Sequence, residues 1–409
     1  MRFTLILLAT TALSACSGAG PTTVGSSAVS ASATGGTPAV PASGHTFVNP
    51  TEVRTYNAIG GAHSFQYSTD NRNPGASSQY GQLYRGDAST ARNSGITVNY
   101  NPRDAIYSFT LSAPLGGVDQ TYRFQDPLHR TAFGGLSEPQ SGVPNISGKG
   151  IQYLQSGSAN GQLQFDPAES TTFPVGAASS SLDQSTFFYQ QPGTTTKYVT
   201  YAGYVRNAVS IVPVTITPAT TTTPATTYLQ YDYTLQRAAF AFGERTLNSA
   251  VPKTGTGTFN GDLIATLIYN PLPDTTANAP TYFQWLDGTS RTIVNFAANT
   301  FTIDLAGTVR APDFDLYTTR QFTLQSGATF SAAGSGRIDL VGAGGFLGSI
   351  NRAGFTQPNG TQLGLNIAGS SVDGAFFGPA AQEVGGGFRI VGGVPDERID
   401  ILGAFIGKQ

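Results

Sequence analysis

Gly255 to Asn270 reads GTGTFNGDLIATLIYN, and Thr300 to Val309 reads TFTIDLAGTV. In the second stretch Phe301, Ile303 and Leu305 alternate with Thr302, Asp304 and Ala306, the period-two pattern of a strand with one buried and one wet face. The first stretch opens on small residues and turns into a strand. Similar alternation returns in Gln321-Phe322-Thr323-Leu324, in Gln362 to Ala368 through Leu363, Leu365 and Ile367, and in Arg398 to Gly407. About eight strands fit between Gly255 and Gln409, and closely spaced antiparallel strands with no helical period between them predict a closed barrel. At about eight strands side chains just fill the interior, so such a barrel need not be a pore.

Upstream, short β-rich runs recur at Gly95 to Tyr100, Ala105 to Leu111 and Tyr198 to Val205, punctuated by Asn-Pro, Gly-Gly, Pro-Gly and Ser-Gly pairs that mark turns. They predict an antiparallel, handle-like β domain ahead of the barrel. Thr215 to Thr227 (TITPATTTTPATT) is expected to be a long exposed loop between two strands. Composition agrees with an all-β chain. Charged residues make up only 11%, and Gly contributes 50 positions. Surface helices need far more Glu, Lys and Arg than that, whereas Gly, Thr, Tyr and Phe suit strands and tight turns. One segment breaks the pattern: Phe377 to Phe388 (FGPAAQEVGGGF) has Pro near its start and Gly near its end, which predicts a single helical turn between two barrel strands.

With 22 basic and 24 acidic residues and no basic cluster, the chain has no electrostatic footprint for nucleic acid. Its first residues, MRFTLILLATTALSAC, place one early cation before a short apolar run and small residues, as a secretory signal peptide does. No later window supplies the ~20 apolar residues of a membrane-spanning helix. Leu13-Ser14-Ala15-Cys16 resembles the lipobox of bacterial lipoproteins, and Cys16 is the only cysteine. The plain alternative is a stray thiol beside an ordinary cleavage site. The resemblance implies cleavage after residue 15 and lipid attachment, palmitate included, at Cys16; Ser17 in place of the usual inner-membrane retention Asp points to the outer membrane. Ser17 to Gly44 holds no charge and no aromatic ring, so residues 16–44 are expected to form a flexible tether.

The Phe377 segment also carries a second likeness. Gly374-Ala375-Phe376-Phe377-Gly378-Pro379, then Ala381, Glu383, Gly385, Gly386 and Phe388, resembles a strand-and-turn motif in the carboxy-terminal barrels of the transferrin-binding protein B family of surface lipoproteins. Pro252-Lys253-Thr254-Gly255 followed by Gly257-Thr258-Phe259-Asn260-Gly261 is similar to that family's barrel entrance. The resemblance covers residues 251–409 and implies a barrel there, with residues 45–250 as the handle. These are architectural residues, and Glu383 suits a role in satisfying backbone donors better than one in chemistry. With one such barrel signature, the resemblance implies a single-lobe relative. It also implies a non-enzymatic protein on the cell surface that captures an extracellular protein or an iron or haem source, with an outer-membrane transporter or translocator as partner. The chain is expected to act as a monomer. The alternative from another class is a structural or adhesive envelope lipoprotein with no transport ligand.

The motifs of a serine-hydrolase elbow, a zinc protease, a redox dithiol and a phosphate-binding loop are absent from the sequence. Gly342 to Gly348 misses a dinucleotide fingerprint by one position. Asp313 and Asp315 would hold calcium only with ligands from elsewhere. No cofactor or metal is expected; haem, if taken, would need His63, His129 or a Tyr as ligand, because Met1 is lost with the signal and His45 lies at the tether's end. Partner binding is expected from Trp285 beside a turn, from Phe314 and Tyr317 in a Pro/Asp-rich loop, and from handle loops around Tyr80, Tyr84 and Tyr122, because such rings concentrate binding energy. The competing reading of these rings is that they close the barrel core.

Overall fold

A computed structural model of the chain describes residues 50–70, 72, 94–103, 106–112, 119–125, 143–146, 148–157, 180–218, 225–270, 282–311, 324–392 and 398–409. Its strands are β1 (Arg54–Asn57), β2 (Ile59–Asp70), β3 (Ile96–Asn101), β4 (Ile106–Leu111), β5 (Gln120–Gln125), β6 (Ile151–Gly157), β7 (Ser180–Gln190), β8 (Val199–Ile216) and β9 (Thr226–Gly243), followed by β10 (Thr256–Asn270), β11 (Tyr282–Asn295), β12 (Thr300–Val309), β13 (Thr329–Asp339), β14 (Gly345–Thr356), β15 (Gln362–Gly364), β16 (Ile367–Phe377), β17 (Glu383–Gly392) and β18 (Arg398–Lys408). A single 3-10 turn, Asn248–Ala250, is the only helical element among the described residues.

Eight of these strands close a ring, in the order β10, β11, β12, β13, β14, β16, β17, β18 and back to β10. All pairings are antiparallel. The three-residue β15 lies outside the ring against β14, so the expected strand from Gln362 to Ala368 is split in two. Phe301, Ile303 and Leu305 point inward with Phe259, Leu263, Phe330, Phe346, Phe376, Phe388 and Phe405, all buried in one cluster. The lumen is therefore a packed core. On β12 the outward residues Thr300, Thr302, Asp304, Ala306 and Thr308 run exposed or half-exposed, and β13 turns Thr329, Ser331 and Arg337 outward. A barrel that spans a membrane shows the opposite arrangement, an apolar belt outside. Among the described residues no helix is long and apolar enough to cross a membrane.

The remaining strands form two sheets stacked on the barrel wall. The five-stranded sheet (β2-β9-β8-β7-β6) lies in the middle and the four-stranded sheet (β1-β3-β4-β5) lies on its far side. Alternation along β8 sorts its residues between two cores. Val199, Tyr201 and Val205 meet Ile264, Trp285, Ala375, Leu402, Ala404 and Ile406 on the outer wall of the barrel. Ala202 and Tyr204, with Phe187, Phe240 and Phe242, meet Ile96, Val98, Phe109 and Phe124 of the outer sheet. A sheet covered on both faces needs apolar residues at successive positions, which is why Val199 to Val205 is buried throughout. β8 and β9 stay paired out to Ile216 and Thr226, so the loop expected from Thr215 to Thr227 is shorter than the sequence suggests at both ends.

The helical turn expected after Phe377 is absent. β16 runs into a tight turn over 378–381 and returns as β17, with Gly378 at φ +84° and Ala381 at φ 58°. Phe377 pairs with Glu383 across that turn, and five intervening residues pinned at both ends leave no room for a helix to propagate.

Candidate functional site

Three polar clusters stitch the middle sheet to the barrel. At the first, Glu383 opens β17 and accepts backbone N–H groups from Lys197 (2.6 Å), Tyr198 (2.7 Å) and Val199 (3.2 Å), the segment that leads into β8. Burial pushes its carboxyl above the ordinary value, while the three amides and Lys408 pull the other way. At the second, Asp262 on the outer face of β10 accepts Lys149 Nζ (3.0 Å), Gln190 Nε2 (3.1 Å) and Thr195 Oγ1 (2.6 Å). Burial opposes its charge, but these donors hold the carboxyl below its usual value.

The third cluster is deepest. His63 on β2 places Nδ1 3.0 Å from Thr266 Oγ1 of β10 and Nε2 3.4 Å from Asp400 Oδ1 of β18. Arg389 of β17 grips the same carboxylate through Nε (3.1 Å) and Nη2 (2.8 Å). Against the cost of full burial, His63 and Arg389 keep the Asp400 carboxyl well below the usual carboxylate range. A hydroxyl, an imidazole and a carboxylate in a row resemble a nucleophilic relay, but Thr266, His63 and Asp400 are each 0% exposed, so no substrate atom can reach the hydroxyl. The arrangement joins two layers. It also removes His63 from the set of accessible haem ligands.

Other residues singled out from the sequence fall into two groups. Cys16, Tyr80, Tyr84, Phe314, Tyr317, His45, His129, Asp313 and Asp315 lie outside the described residues, as do Gln321 to Thr323. Trp285 is described and is 5% exposed on the outer wall of the barrel, edge-on to Phe188 of β7 with ring centroids 5.5 Å apart. Its ring fills the contact between the barrel wall and the middle sheet and is not part of the barrel core. Tyr122 stands on β5, half-buried, with its ring 5.1 Å from that of Tyr204. Among the described residues no cluster of three or more His, Cys, Asp or Glu side chains is placed to hold a metal ion.

The motif residues sit where the layers meet. Phe376 and Phe388 point into the barrel core, whereas Glu383 and Gly385 face the middle sheet. A methyl group on Gly385 would lie 2.6 Å from Val199 Cγ2, so glycine there permits the close approach of β17 to β8. Gly374 and Gly386 sit back to back across β16 and β17. Gly378 adopts the left-handed backbone of the turn beside Pro379, and its carbonyl accepts Thr246 Oγ1 at 2.6 Å.

A cleft of about 410 Å³ opens at the junction of the outer sheet, the segment between β9 and β10, and the β13–β14 turn. Arg245, Asn57, Ser94, Thr97 and Gly342 are among its lining residues. Sequence reading missed it, because its walls come from five stretches far apart in the chain and Arg245 sits in no motif.

No protein-family model matches the chain, and no curated protein sequence matches it. Solved structures similar to it include a tryptophan-to-alanine mutant of the vaccine antigen transferrin binding protein B from Haemophilus parasuis, at 14% identity and TM-score 0.30 over 87% of this chain and 61% of that one. The intact two-lobed Ap-TbpB aligns at 12% identity and TM-score 0.28, over 88% of this chain and 79% of that one. An isotype 1 transferrin binding protein B from serogroup B Neisseria meningitidis gives 12% identity and TM-score 0.24, covering 88% and 77%. The chain thus spans less than two thirds of the first of these proteins. TM-scores at this level do not establish a common fold.

Proposed function

We propose that this chain is a lipid-anchored envelope protein, displayed on the outer surface, that captures an extracellular protein or an iron or haem source for an outer-membrane transporter and performs no chemistry of its own. One observation carries the reading: the barrel is filled by its own side chains and its free wall is polar, so it serves as a rigid, water-facing platform. The only described hydroxyl, imidazole and carboxylate row is sealed between layers and acts as a bolt. The lipobox at Cys16 and the uncharged stretch after it supply the setting. The motif resemblance in β16 and β17 agrees with this role.

Palmitate labelling and detergent-phase partition of the full-length protein, compared with Cys16→Ser, test the anchor. Label and partition are expected in the wild type and lost in the variant; an unlabelled wild type in the aqueous phase would overturn it. For capture, the mature protein is expected to show saturable retention of one protein from the growth medium, or an absorbance shift on hemin titration. Absence of both would leave a structural or adhesive role.

A further inference from the structure

One rim of the barrel collects the β11–β12, β13–β14 and β16–β17 turns, together with the segment that leads into β10. Pairs at the ends of these strands fix it: Thr256 with Asn295, Thr300 with Arg337, Asp339 with Gly345, Phe377 with Glu383, and Glu383 with Lys408. Turn tips usually carry Gly, Asn, Asp and Ser. Here the β13–β14 tip presents Val341 at 99% exposure. Asn248 Nδ2 donates to the Leu340 carbonyl at 2.6 Å, which ties the neighbouring Leu247, 49% exposed, to the same rim. Pro379 and Ala380 are exposed on the β16–β17 turn, and Ala297 and Ala298 on the β11–β12 turn.

The charges at this end are sorted by depth. Lys197, Lys253, Arg337 and Lys408 are exposed, whereas the side-chain carboxylates of Glu244 and Asp339 are half-buried and that of Glu383 is buried. Lys197 belongs to this rim because Tyr198, whose ring it overlies at 5.4 Å, packs beside Gly378 of the β16–β17 turn. Asp339 is occupied by the Gly342 amide at 2.7 Å and faces Arg337 at 3.9 Å, and Glu383 is held by its three backbone amides. Among the described residues no carboxylate lies within ion-pair distance of Lys197 or Lys253. Aliphatic tips among exposed cations suit an anionic lipid surface, where the tips enter the acyl boundary and the cations meet the phosphates. We propose that this rim docks on an anionic lipid bilayer, with Val341 and Leu247 entering it. Cations spread over separate turns fit a broad planar surface, whereas a peptide would engage one tip. The lipid at Cys16 keeps the body beside such a surface, so weak contacts suffice to hold it there. The proposal rests on the anchor in the function above and gives it an orientation, with the opposite rim pointing away from the lipid.

The test is flotation of the mature chain carrying Cys16→Ser, so that no anchor contributes, with vesicles of equal parts phosphatidylglycerol and phosphatidylcholine or of phosphatidylcholine alone. About tenfold more protein is expected to float with the anionic vesicles at low salt, and the excess should fall at high salt. Val341→Glu and Lys253→Glu should each cut it severalfold. Thr302→Glu, which adds a negative charge to the barrel wall instead, should not. Val341, Lys253 and Thr302 are all exposed, so thermal unfolding should be unchanged in the three variants. Equal flotation with the two vesicles, flotation unaltered by either rim variant, or an equal loss from Thr302→Glu would overturn the proposal. Failure here leaves the anchor and the capture function standing, because palmitate labelling reads Cys16 and not the rim. A chain found in the periplasm would instead end the capture function and leave vesicle binding intact.

Discussion

Replacing Glu383 with Ala should weaken the joint between the barrel and the middle sheet. The carboxylate accepts three backbone amides and is 4% exposed. A buried donor left without an acceptor costs about 1–3 kcal/mol. Lys197 is exposed and Tyr198 half-buried, so water can take over at those two amides, but Val199 is fully buried and cannot be rehydrated in place. Removing the carboxylate also relieves the burial cost that raises its pKa. The net loss should be roughly 2–3 kcal/mol for Ala and about 1 kcal/mol for Gln, which keeps one acceptor oxygen. Trp285, the only tryptophan, lies in the same joint and reports on it directly. Urea unfolding followed by its fluorescence, with far-ultraviolet dichroism as a second probe, gives the loss from the shift in midpoint at constant slope. A loss below about 0.5 kcal/mol for Ala, or equal losses for Ala and Gln, would refute the amide-clamp account.

Asp400→Asn should cost about 3–5 kcal/mol, because it leaves the Arg389 charge in the joint without its counter-ion; thermal unfolding checks this. The pH dependence follows from the signs of the shifts. Asp262 and Asp400 are lowered from an ordinary value of 3.8, so their stabilisation is present above that pH and is lost as pH falls towards their folded values. Glu383, raised from 4.5, acts in the opposite sense: its contribution is present below 4.5 and is lost as pH rises through its folded value. Two groups against one predict a urea midpoint that falls below about pH 4, with a shallower fall in Asp400→Asn. Gly385→Ala should destabilise by about 1–3 kcal/mol, since its methyl would press on Val199 Cγ2 at 2.6 Å; an unchanged melting temperature would show that β17 and β8 are less tightly apposed.

The barrel was legible because its strands keep one wet face. Phe301, Ile303 and Leu305 announce their direction locally, and no distant contact is needed to place them. The three-layer stack was less visible. Val199 to Val205 reads as a β-rich run, but whether one or both of its faces are covered depends on β18 and β4, far away in sequence. Trp285 misled for the same reason. A turn-side Trp looks exposed until the middle sheet is laid over the barrel wall. Pro379 and the following glycines mimic a helix by local preference, but the Phe377–Glu383 pairing imposes a tight turn on the few residues between them. Glu383 itself was readable as a partner for backbone donors, although not which ones. His63 and Asp400, separated by the length of the chain, gave no sign that they meet. The cleft beside Arg245 depends on five separate stretches of chain and left no local signal at all.

Protease shaving of intact cells, with a periplasmic protein as control and immunodetection of this chain, tests the central claim most directly. Digestion while the control survives is the predicted result, and it would place the water-facing platform outside the cell where capture can occur. Protection in intact cells, with digestion only after lysis, would put the chain in the periplasm and contradict the capture of an extracellular ligand.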